Sequence, residues 1–309
     1  MKNYVTDTPG VRARLRQFEV FEVPKHIPDG QGDWYWVLFE KEGRSTYEAV
    51  GEIANTLKID RKDVGYAGLK DKHAKTIQWV SVPVKPENFP FRKFVAIRNR
   101  GKLRIGVLWG NWFRIVLESA KPGKVVNAFE RLERIPNGFG PQRFGRNNVE
   151  IGRLLVLGRK KEAMALMRKF RIPFEKRFFI FLVDSYTSYL FNRVLDRRIH
   201  APELDGDLNG KFGPTGPIFG RKMPFPTGVA GEMEKDILQE EGINLSMFRG
   251  KGRRRALFVP LIGKNVKING NKVELKFFLP KGSYATMVLR EITKEHFSGL
   301  FPSSSCGSS

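Results

Sequence analysis

Short runs of β-branched and aromatic residues predict strands in the first part of the chain. The clearest runs are FEVFEV at 18–23, WYWVLFE at 34–40 and TIQWVSVPV at 76–84. Two further strands are predicted at 103–108 and 112–118, separated by Trp109-Gly110-Asn111. Strand patterns return at 256–262 and 272–279. Both ends of the chain are therefore expected to contribute to a sheet.

Helical periodicity marks other segments. A helix is predicted over about 46–58, because Ser45 and Glu48 form a capping-box sequence and apolar residues follow at near-helical spacing. Further amphipathic patterns predict helices at 125–135, 148–157, 161–170, 177–198 and 232–241, and a closing helix near Ser283. Residues 206–231, rich in glycine and proline, are weakly patterned. The central third of the chain is thus expected to be mainly helical.

The order strands, helices, strands predicts an α+β protein with a helical module inserted into a sheet domain. We place the boundaries near 146 and 255. Residues 1–145 and 256–297 would then form one discontinuous domain, and 146–255 the inserted domain. We expect the Ser-rich end, 298–309, to be a disordered tail.

The charge balance narrows the class of partner. The chain of 309 residues has 55 Lys and Arg against 32 Asp and Glu, a net charge of +23. Since 41% of residues are apolar and 12% aromatic, this charge belongs to a folded surface rather than to a disordered basic tail. Nucleic acid is the partner that such a surface favours, and an anionic membrane is the weaker alternative.

Composition also argues against several classes of site. The single cysteine, Cys306, allows no intrachain disulfide, which suits a reducing cytoplasm. With one cysteine and four scattered histidines, no zinc-binding spacing can be assembled, and we expect no metal and no cofactor. No apolar run is long enough to span a bilayer, and the N-terminus lacks the apolar region of a signal peptide. We therefore expect a cytoplasmic protein that does not bind or cross a membrane.

One loop carries candidate chemistry. Lys70-Asp71-Lys72 lies in a glycine-bounded segment between the predicted helix and a strand. A carboxylate between two ammonium groups stays ionised and can act as a nucleophile, although taken alone such a triplet is more often a solvated turn.

Basic and aromatic residues interleave elsewhere in the pattern that RNA-binding surfaces use. Phe113, Phe139, Arg143 and Phe144 are plausible RNA contacts, with burial in the core as the alternative for the phenylalanines. Arg253-Arg254-Arg255 is either a phosphate clamp or a solvated turn. Residues 143–177 carry 11 basic and 3 acidic side chains, a further site of concentrated positive charge.

Four colinear strings closely resemble the TruD family of tRNA pseudouridine synthases. They are GYAGLKDKHAKTIQW (65–79), KLRIGVLWGNWF (102–113), PNGFGPQRFG (136–145) and FFLPKGSYATMVLREI (277–292). The resemblance implies a pseudouridine synthase core with a mixed or antiparallel sheet and an inserted TruD-specific domain that binds RNA. It also implies isomerisation of uridine 13 in the D arm of tRNA, by an aspartate nucleophile acting on a flipped base. No cofactor is implied, and we expect a monomer.

The resemblance also implies site residues. The nucleophile of the family maps onto Asp71, and its substrate-contacting positions map onto Phe18, Asn111 and Tyr284. At 284 the family commonly has phenylalanine; tyrosine keeps the stacking face and adds a hydroxyl. Phe113 stands where related synthases use tyrosine and is expected to pack on the flipped base.

Several points stay open on the sequence alone. The basic partner of Asp71 is Lys70 or a residue before the first strand, Arg12 or Arg14. The carboxylate can attack C1′ of the ribose, attack C6 of the base or promote elimination at the sugar. Lys70, Arg143 and Arg254 are candidates for direct RNA contact. From another functional class, the alternative is a basic RNA-binding or folding factor without catalysis.

Overall fold

The computed structural model describes residues 12–72, 74–140, 143–145 and 147–293. The chain divides into two compact units. We call Gly10–Glu130 with Leu261–Ala285 the sheet unit, and Arg131–Pro260 with the residues from Thr286 onward the helical unit. The predicted tail at 298–309 lies outside the described residues.

The strands and helices are numbered in chain order. The strands are β1 Arg14–Pro24, β2 Trp34–Lys41, β3 Gly65–Tyr66, β4 Lys75–Val82, β5 Arg92–Asn99, β6 Leu108–Glu118, β7 Arg134–Pro136, β8 Asn209–Gly210, β9 Gly213–Ile218, β10 Arg253–Ala256, β11 Phe258–Pro260, β12 Ile262–Asn269 and β13 Lys272–Pro280. The α-helices are α1 Thr46–Leu57, α2 Pro122–Glu130, α3 Asn148–Val156, α4 Lys160–Lys169, α5 Lys176–Arg198, α6 Gly228–Glu240 and α7 Ala285–Thr293. The predicted α+β class is confirmed.

The sheet unit is built on one sheet of strand order β12-β13-β6-β1-β4-β2-β5, with β3 paired to β4. The β1–β4 pair is parallel and the other pairs are antiparallel, so the sheet is mixed, as predicted. Strand β1 lies at the centre between β6 and β4. Strands β4 and β6, which are distant from each other in sequence, therefore lie on either side of β1.

Helix α1 begins where the capping box predicts. The Ser45 hydroxyl accepts a hydrogen bond from the Glu48 amide, and the Glu48 carboxylate accepts one from the Ser45 amide. The apolar face of the helix packs through Val50 and Ile53 into a core cluster that contains Val37 and Phe39 of β2. The start of α1 is therefore fixed against the sheet, and residues 45–48 are available to contact the loop that precedes β4.

The helical unit has its own core around α5, in which Tyr186, Leu190 and Phe191 are fully buried. A buried ion pair joins the Arg198 guanidinium at the end of this helix to Asp207, 2.6 Å away. The unit also contains two small sheets, β10-β9-β8 and β11-β7. The glycine- and proline-rich stretch 206–231 thus contains strands that its composition did not predict.

The units divide at positions other than those placed from the sequence. The chain enters the helical unit at Arg131 rather than near 146, and leaves it after Pro260 rather than near 255. The reason is local pairing: β7 hydrogen-bonds to β11, and Phe139 packs on Phe191 of α5 with ring centroids 5.6 Å apart. Which unit binds RNA stays a prediction.

Two strand predictions in the sheet unit were wrong. Residues 103–107 form no strand and contain a turn at 105–106, whereas Arg92–Asn99 forms β5 at the sheet edge. Strand β6 runs without a break through Trp109-Gly110-Asn111. A Cβ at Gly110 would lie 2.1 Å from the Leu279 carbonyl oxygen, so this glycine allows the close approach of β13 rather than a turn.

Candidate active site

The loop between β3 and β4 holds Asp71, which is half-buried. Two groups from elsewhere in the sheet unit hold the backbone of this loop. The Thr46 hydroxyl at the start of α1 accepts a hydrogen bond from the Lys70 amide at 2.8 Å. The Lys41 ammonium at the end of β2 donates to the Asp71 carbonyl oxygen at 3.0 Å. The backbone on both sides of the Lys70–Asp71 bond is therefore fixed.

Lys70 does not extend into solvent. Its side chain is 7% exposed, and its ammonium lies 2.9 Å from the Glu22 carboxylate, which is fully buried. The same ammonium donates to Oδ1 of Asn111. Glu22 and Asn111 are directly opposed on β1 and β6, so Lys70 ties the loop to the centre of the sheet. A buried, paired ammonium is poorly placed for direct contact with RNA, and this contact stays a prediction without support from the geometry.

Lys72, the other lysine beside Asp71, lies on the surface. Its ammonium is 3.7 Å from the exposed Glu48 carboxylate. The two lysines that flank Asp71 in sequence therefore have acidic partners of their own. A surface pair at this distance is weak, so Lys72 is held only loosely.

Lys41 is the least expected residue of the site. Only 1% of it is exposed, and its ammonium also donates to the Arg44 carbonyl oxygen at 2.6 Å. Burial lowers the pKa of Lys41 to about 8, against the opposing attraction of the Asp71 carboxylate. Lys70 lowers this pKa further and Glu48 raises it. The charges of Lys41 and Asp71 are thus coupled across the loop.

The predicted substrate-binding aromatics form a row across the sheet. The rings of Phe18 and Phe113 are 5.9 Å apart in an edge-to-face arrangement, and Phe113 stacks on Phe277 of β13 at 5.5 Å. Phe18 is partly exposed, whereas Phe113 is buried with 6% of its surface accessible. This geometry favours Phe18 as the ring that meets a base and Phe113 as its support in the core, rather than as the predicted contact of the base.

Asn111 faces the same side of β6 as Phe113 and is 8% exposed. Its Oδ1 is taken by Lys70, which leaves the Nδ2 amide as the donor toward a ligand. Tyr284 follows β13 in a turn near the start of β6, where the Lys281 amide donates to the Trp109 carbonyl oxygen at 2.9 Å. The Tyr284 side chain is exposed, and its role as a stacking platform stays a prediction.

The predicted RNA contacts Arg143 and Arg254 both lie in the helical unit and differ in their surroundings. Arg254 forms an ion pair with Glu234 at 2.7 Å and has 12% of its side chain exposed. That pairing favours a structural role over the predicted RNA contact. Arg143 lies 3.4 Å from the exposed Asp184 carboxylate, and its guanidinium is 5.4 Å from the Phe181 ring. Because such a surface ion pair is weak, Arg143 keeps the capacity to bind phosphate.

Glu22 and Lys41 were not predicted as site residues, although the sequence contains a signal for both. In β1, Phe18, Val20 and Glu22 share one face; in β2, Val37, Phe39 and Lys41 do so. Each strand thus has a charged residue on its apolar, inward face, Lys41 at the last position of β2 and Glu22 two residues before the end of β1. Charges at such positions are costly unless paired, so they indicate a partner on another element.

Metal-binding clusters and membrane-spanning helices are both absent from residues 12–72, 74–140, 143–145 and 147–293. Within these ranges, no group of three or more His, Cys, Asp or Glu side chains is arranged to hold a metal ion. Nor does any helix of the described ranges have the length and apolar character needed to cross a membrane.

Comparison with known proteins defines the class. The sequence model of the family tRNA pseudouridine synthase D (TruD) matches residues 1–178 and 207–292. The fold agrees with a crystal structure described as tRNA pseudouridine synthase D from Methanosarcina mazei, with a TM-score of 0.72, 23% identity and coverage of 96% of each chain. The chain therefore has the fold of the pseudouridine synthases.

Curated relatives make the assignment more specific. The tRNA pseudouridine synthase D of Thermus thermophilus is 35% identical, over 93% of this chain and 90% of that protein. The protein of the same description from Anaeromyxobacter dehalogenans is 34% identical, with 93% and 94% covered. This chain belongs to the TruD family of tRNA pseudouridine synthases, as the four sequence strings predicted.

Proposed function

We propose that this protein converts uridine 13 in the D arm of tRNA to pseudouridine, with Asp71 as the nucleophile and the target base flipped into the site. The observation that carries the proposal is the placement of Asp71. Its carboxylate lies on a loop that Lys41 and Thr46 fix by the backbone, and Lys70 of the same loop is anchored to Glu22 and Asn111. A catalytic carboxylate needs such a rigid support.

The reaction requires a site that holds a detached base. The bond from C1′ to N1 breaks, the base rotates and a bond from C1′ to C5 forms. The proton on C5 leaves to solvent and N1 gains a proton, so the change is an isomerisation without net oxidation or reduction. Attack of Asp71 on C1′, attack on C6 and elimination at the sugar all remain compatible with a carboxylate at this place.

Residues around Asp71 supply recognition of uracil. The Nδ2 amide of Asn111, oriented by Lys70, can donate to a uracil carbonyl oxygen, whereas the exocyclic amine of cytosine would face it with another donor. The partly exposed ring of Phe18 can stack on the base, and Tyr284 supplies a second exposed ring. Unstacking the uridine costs a few kcal/mol, which phosphate contacts of the basic surface offset.

Release of tritium from tRNA containing 5-tritiated uridine tests the proposal, since the C5 proton leaves in every route. Wild-type protein should release label, and Asp71→Asn should lower the rate by at least about 10³-fold, because the amide removes the nucleophile while keeping its shape. The matched control is Asp33→Asn, which removes a carboxylate that is 99% exposed in the same unit. Release by Asp71→Asn at the control rate would refute the role of Asp71, and tRNA binding without any release by wild type would favour the non-catalytic alternative.

A further inference from the structure

A cavity of about 580 Å³ opens in the sheet unit, next to the loop between β3 and β4 that carries Asp71, which we call the catalytic loop after its proposed role. We call it the Tyr47 cavity. It is lined by Tyr47, Val50, Arg61, Lys62, Val64, Gly65, Tyr66, Lys102, Leu103, Arg104 and Ile105. Its volume is in the range of sites that enclose small organic ligands, and a single nucleotide is a ligand of this size.

The lining of the Tyr47 cavity is basic. It contains four cationic residues, of which Arg61, Lys62 and Arg104 are exposed, and none of the lining residues is acidic. The nearby Asp60 pairs with Lys62 at 2.8 Å, with both side chains largely in solvent, where such a pair contributes little. Within the described residues, no ion pair or side-chain hydrogen bond holds the exposed Arg104 guanidinium. These charges favour an anionic ligand.

The cavity also offers an aromatic surface. Tyr47 is 54% exposed although it lies in the first turn of α1, and the Arg61 guanidinium is 5.5 Å from the centre of its ring. The Arg61 side chain is itself held, because it donates to the Tyr47 carbonyl oxygen. An exposed ring among cations is the combination by which proteins stack a base and bind the adjoining phosphate.

The position of the cavity links it to the catalytic loop at two points. Tyr66 ends β3, and the loop that carries Asp71 starts at the next residue. On the other side, Tyr47 follows Thr46, whose hydroxyl accepts the hydrogen bond from the Lys70 amide. A strand of RNA whose target base is at Asp71 therefore has the Tyr47 cavity as a neighbouring surface of the same unit.

We propose that the Tyr47 cavity is a subsite for a nucleotide that flanks the target uridine, with its base on Tyr47 and its phosphate on Arg104 and the neighbouring lysines. This inference rests on the proposed function, because it requires RNA as the substrate. It adds contacts with the substrate beyond those of the four mapped site residues, which are Asp71, Phe18, Asn111 and Tyr284.

The test compares tRNA affinity among variants by filter binding over a range of salt concentrations. Arg104→Glu should raise the dissociation constant about 10-fold or more and reduce the salt slope by about 1, since a phosphate contact is lost. Tyr47→Ala should raise the dissociation constant about 10-fold and leave the salt slope unchanged, because stacking releases no counterions. Tyr47→Phe keeps the ring and should bind like wild type.

The charge-matched control is Lys267→Glu, an exposed position on β12 at the opposite edge of the sheet from β5. The subsite is refuted if Arg104→Glu and Tyr47→Ala bind tRNA as this control does, or if Tyr47→Phe fails to restore the affinity lost in Tyr47→Ala. Tritium release by wild type keeps the two proposals separate. If wild type releases no label, the proposed function fails; if it does and the variants bind normally, only the subsite fails.

Discussion

At the scale of single residues, the most informative feature is Lys41, a buried lysine beside Asp71 that no sequence motif indicated. A lysine with 1% of its surface exposed loses hydration, and its two hydrogen bonds to the carbonyl oxygens of Arg44 and Asp71 replace only part of it. The groups that act on its charge are Asp71, Lys70 and Glu48. The buried Lys41 ammonium therefore lowers the stability of the fold. In return, it holds the backbone of Asp71 in place.

This cost predicts a dependence of stability on pH. The pKa of Lys41 is about 8 in the folded protein and 10.5 in an unfolded reference, so the unfolded chain binds more protons between these values. Stability must then rise with pH across that window, by about 3 kcal/mol for this residue. The measurement is urea unfolding of wild type and Lys41→Met from pH 7 to 10.5. The difference between their free energies of unfolding should shift in favour of wild type as pH rises, and a constant difference would contradict the assignment.

At the scale of elements, a buried ion pair connects the catalytic loop to β1. Glu22 is fully buried in its side chain, and Lys70 neutralises it at 2.9 Å. Such a pair adds little net stability, since desolvation offsets the attraction, but it fixes which groups meet. Here it places the residue before Asp71 against Asn111 of β6. The pair thus sets the register of the loop on the sheet.

Replacing one or both residues of the Glu22–Lys70 pair shows whether the pair positions the loop or stabilises the fold. Glu22→Leu alone leaves a buried ammonium unpaired and should lower the free energy of unfolding by about 3–5 kcal/mol. The double variant Glu22→Leu with Lys70→Met should regain most of that stability yet remain slow in tritium release, because the loop has lost its anchor. The readouts are urea unfolding and single-turnover release. A double variant with wild-type rates would show that the pair does not position Asp71.

An element could be predicted from the sequence when the residues that determine it are close together in the chain. Helix α1 was placed within a residue, because its cap and apolar face are written in consecutive residues. Strand β6 was broken in the prediction at Trp109-Gly110-Asn111, since the reason for Gly110 is the carbonyl oxygen of Leu279, far along the chain. Local patterns do not report such contacts.

The candidate site divides in the same way. Asp71, Phe18 and Asn111 were predicted because their strings resemble a family. Lys41 lies in no quoted string, and Glu22 lies in FEVFEV but was not singled out, because the roles of both depend on partners in the distant catalytic loop. An inward-facing charge at the end of a strand signals that a partner exists, but the sequence alone does not identify it.

At the scale of the whole molecule, the basic residues behind the net charge of +23 lie on more than one surface. In the sheet unit, cations line the Tyr47 cavity. In the helical unit, exposed rings accompany the basic residues of α4: the Lys169 ammonium is 5.8 Å from the Phe170 ring, and the Arg168 guanidinium is 5.6 Å from that of Phe174. We expect this second surface to contribute affinity for tRNA rather than chemistry.

Charge reversal in the helical unit tests that division. The triple variant Lys160→Glu, Lys161→Glu and Lys176→Glu changes exposed lysines only. It should weaken tRNA binding and reduce the salt slope by up to about 3, while single-turnover release at saturating tRNA stays close to wild type. Arginine at the same three positions keeps the charge and serves as the control. A loss of rate at saturation would show that these residues also shape the active site.

We propose that this member of the TruD family forms pseudouridine at one position of tRNA through Asp71. The most direct measurement is chemical mapping of pseudouridine in unmodified tRNA incubated with wild type or Asp71→Asn. We expect a single new pseudouridine at position 13 in the D arm with wild type and none with Asp71→Asn. Pseudouridine at another position, or formed equally by Asp71→Asn, would contradict it.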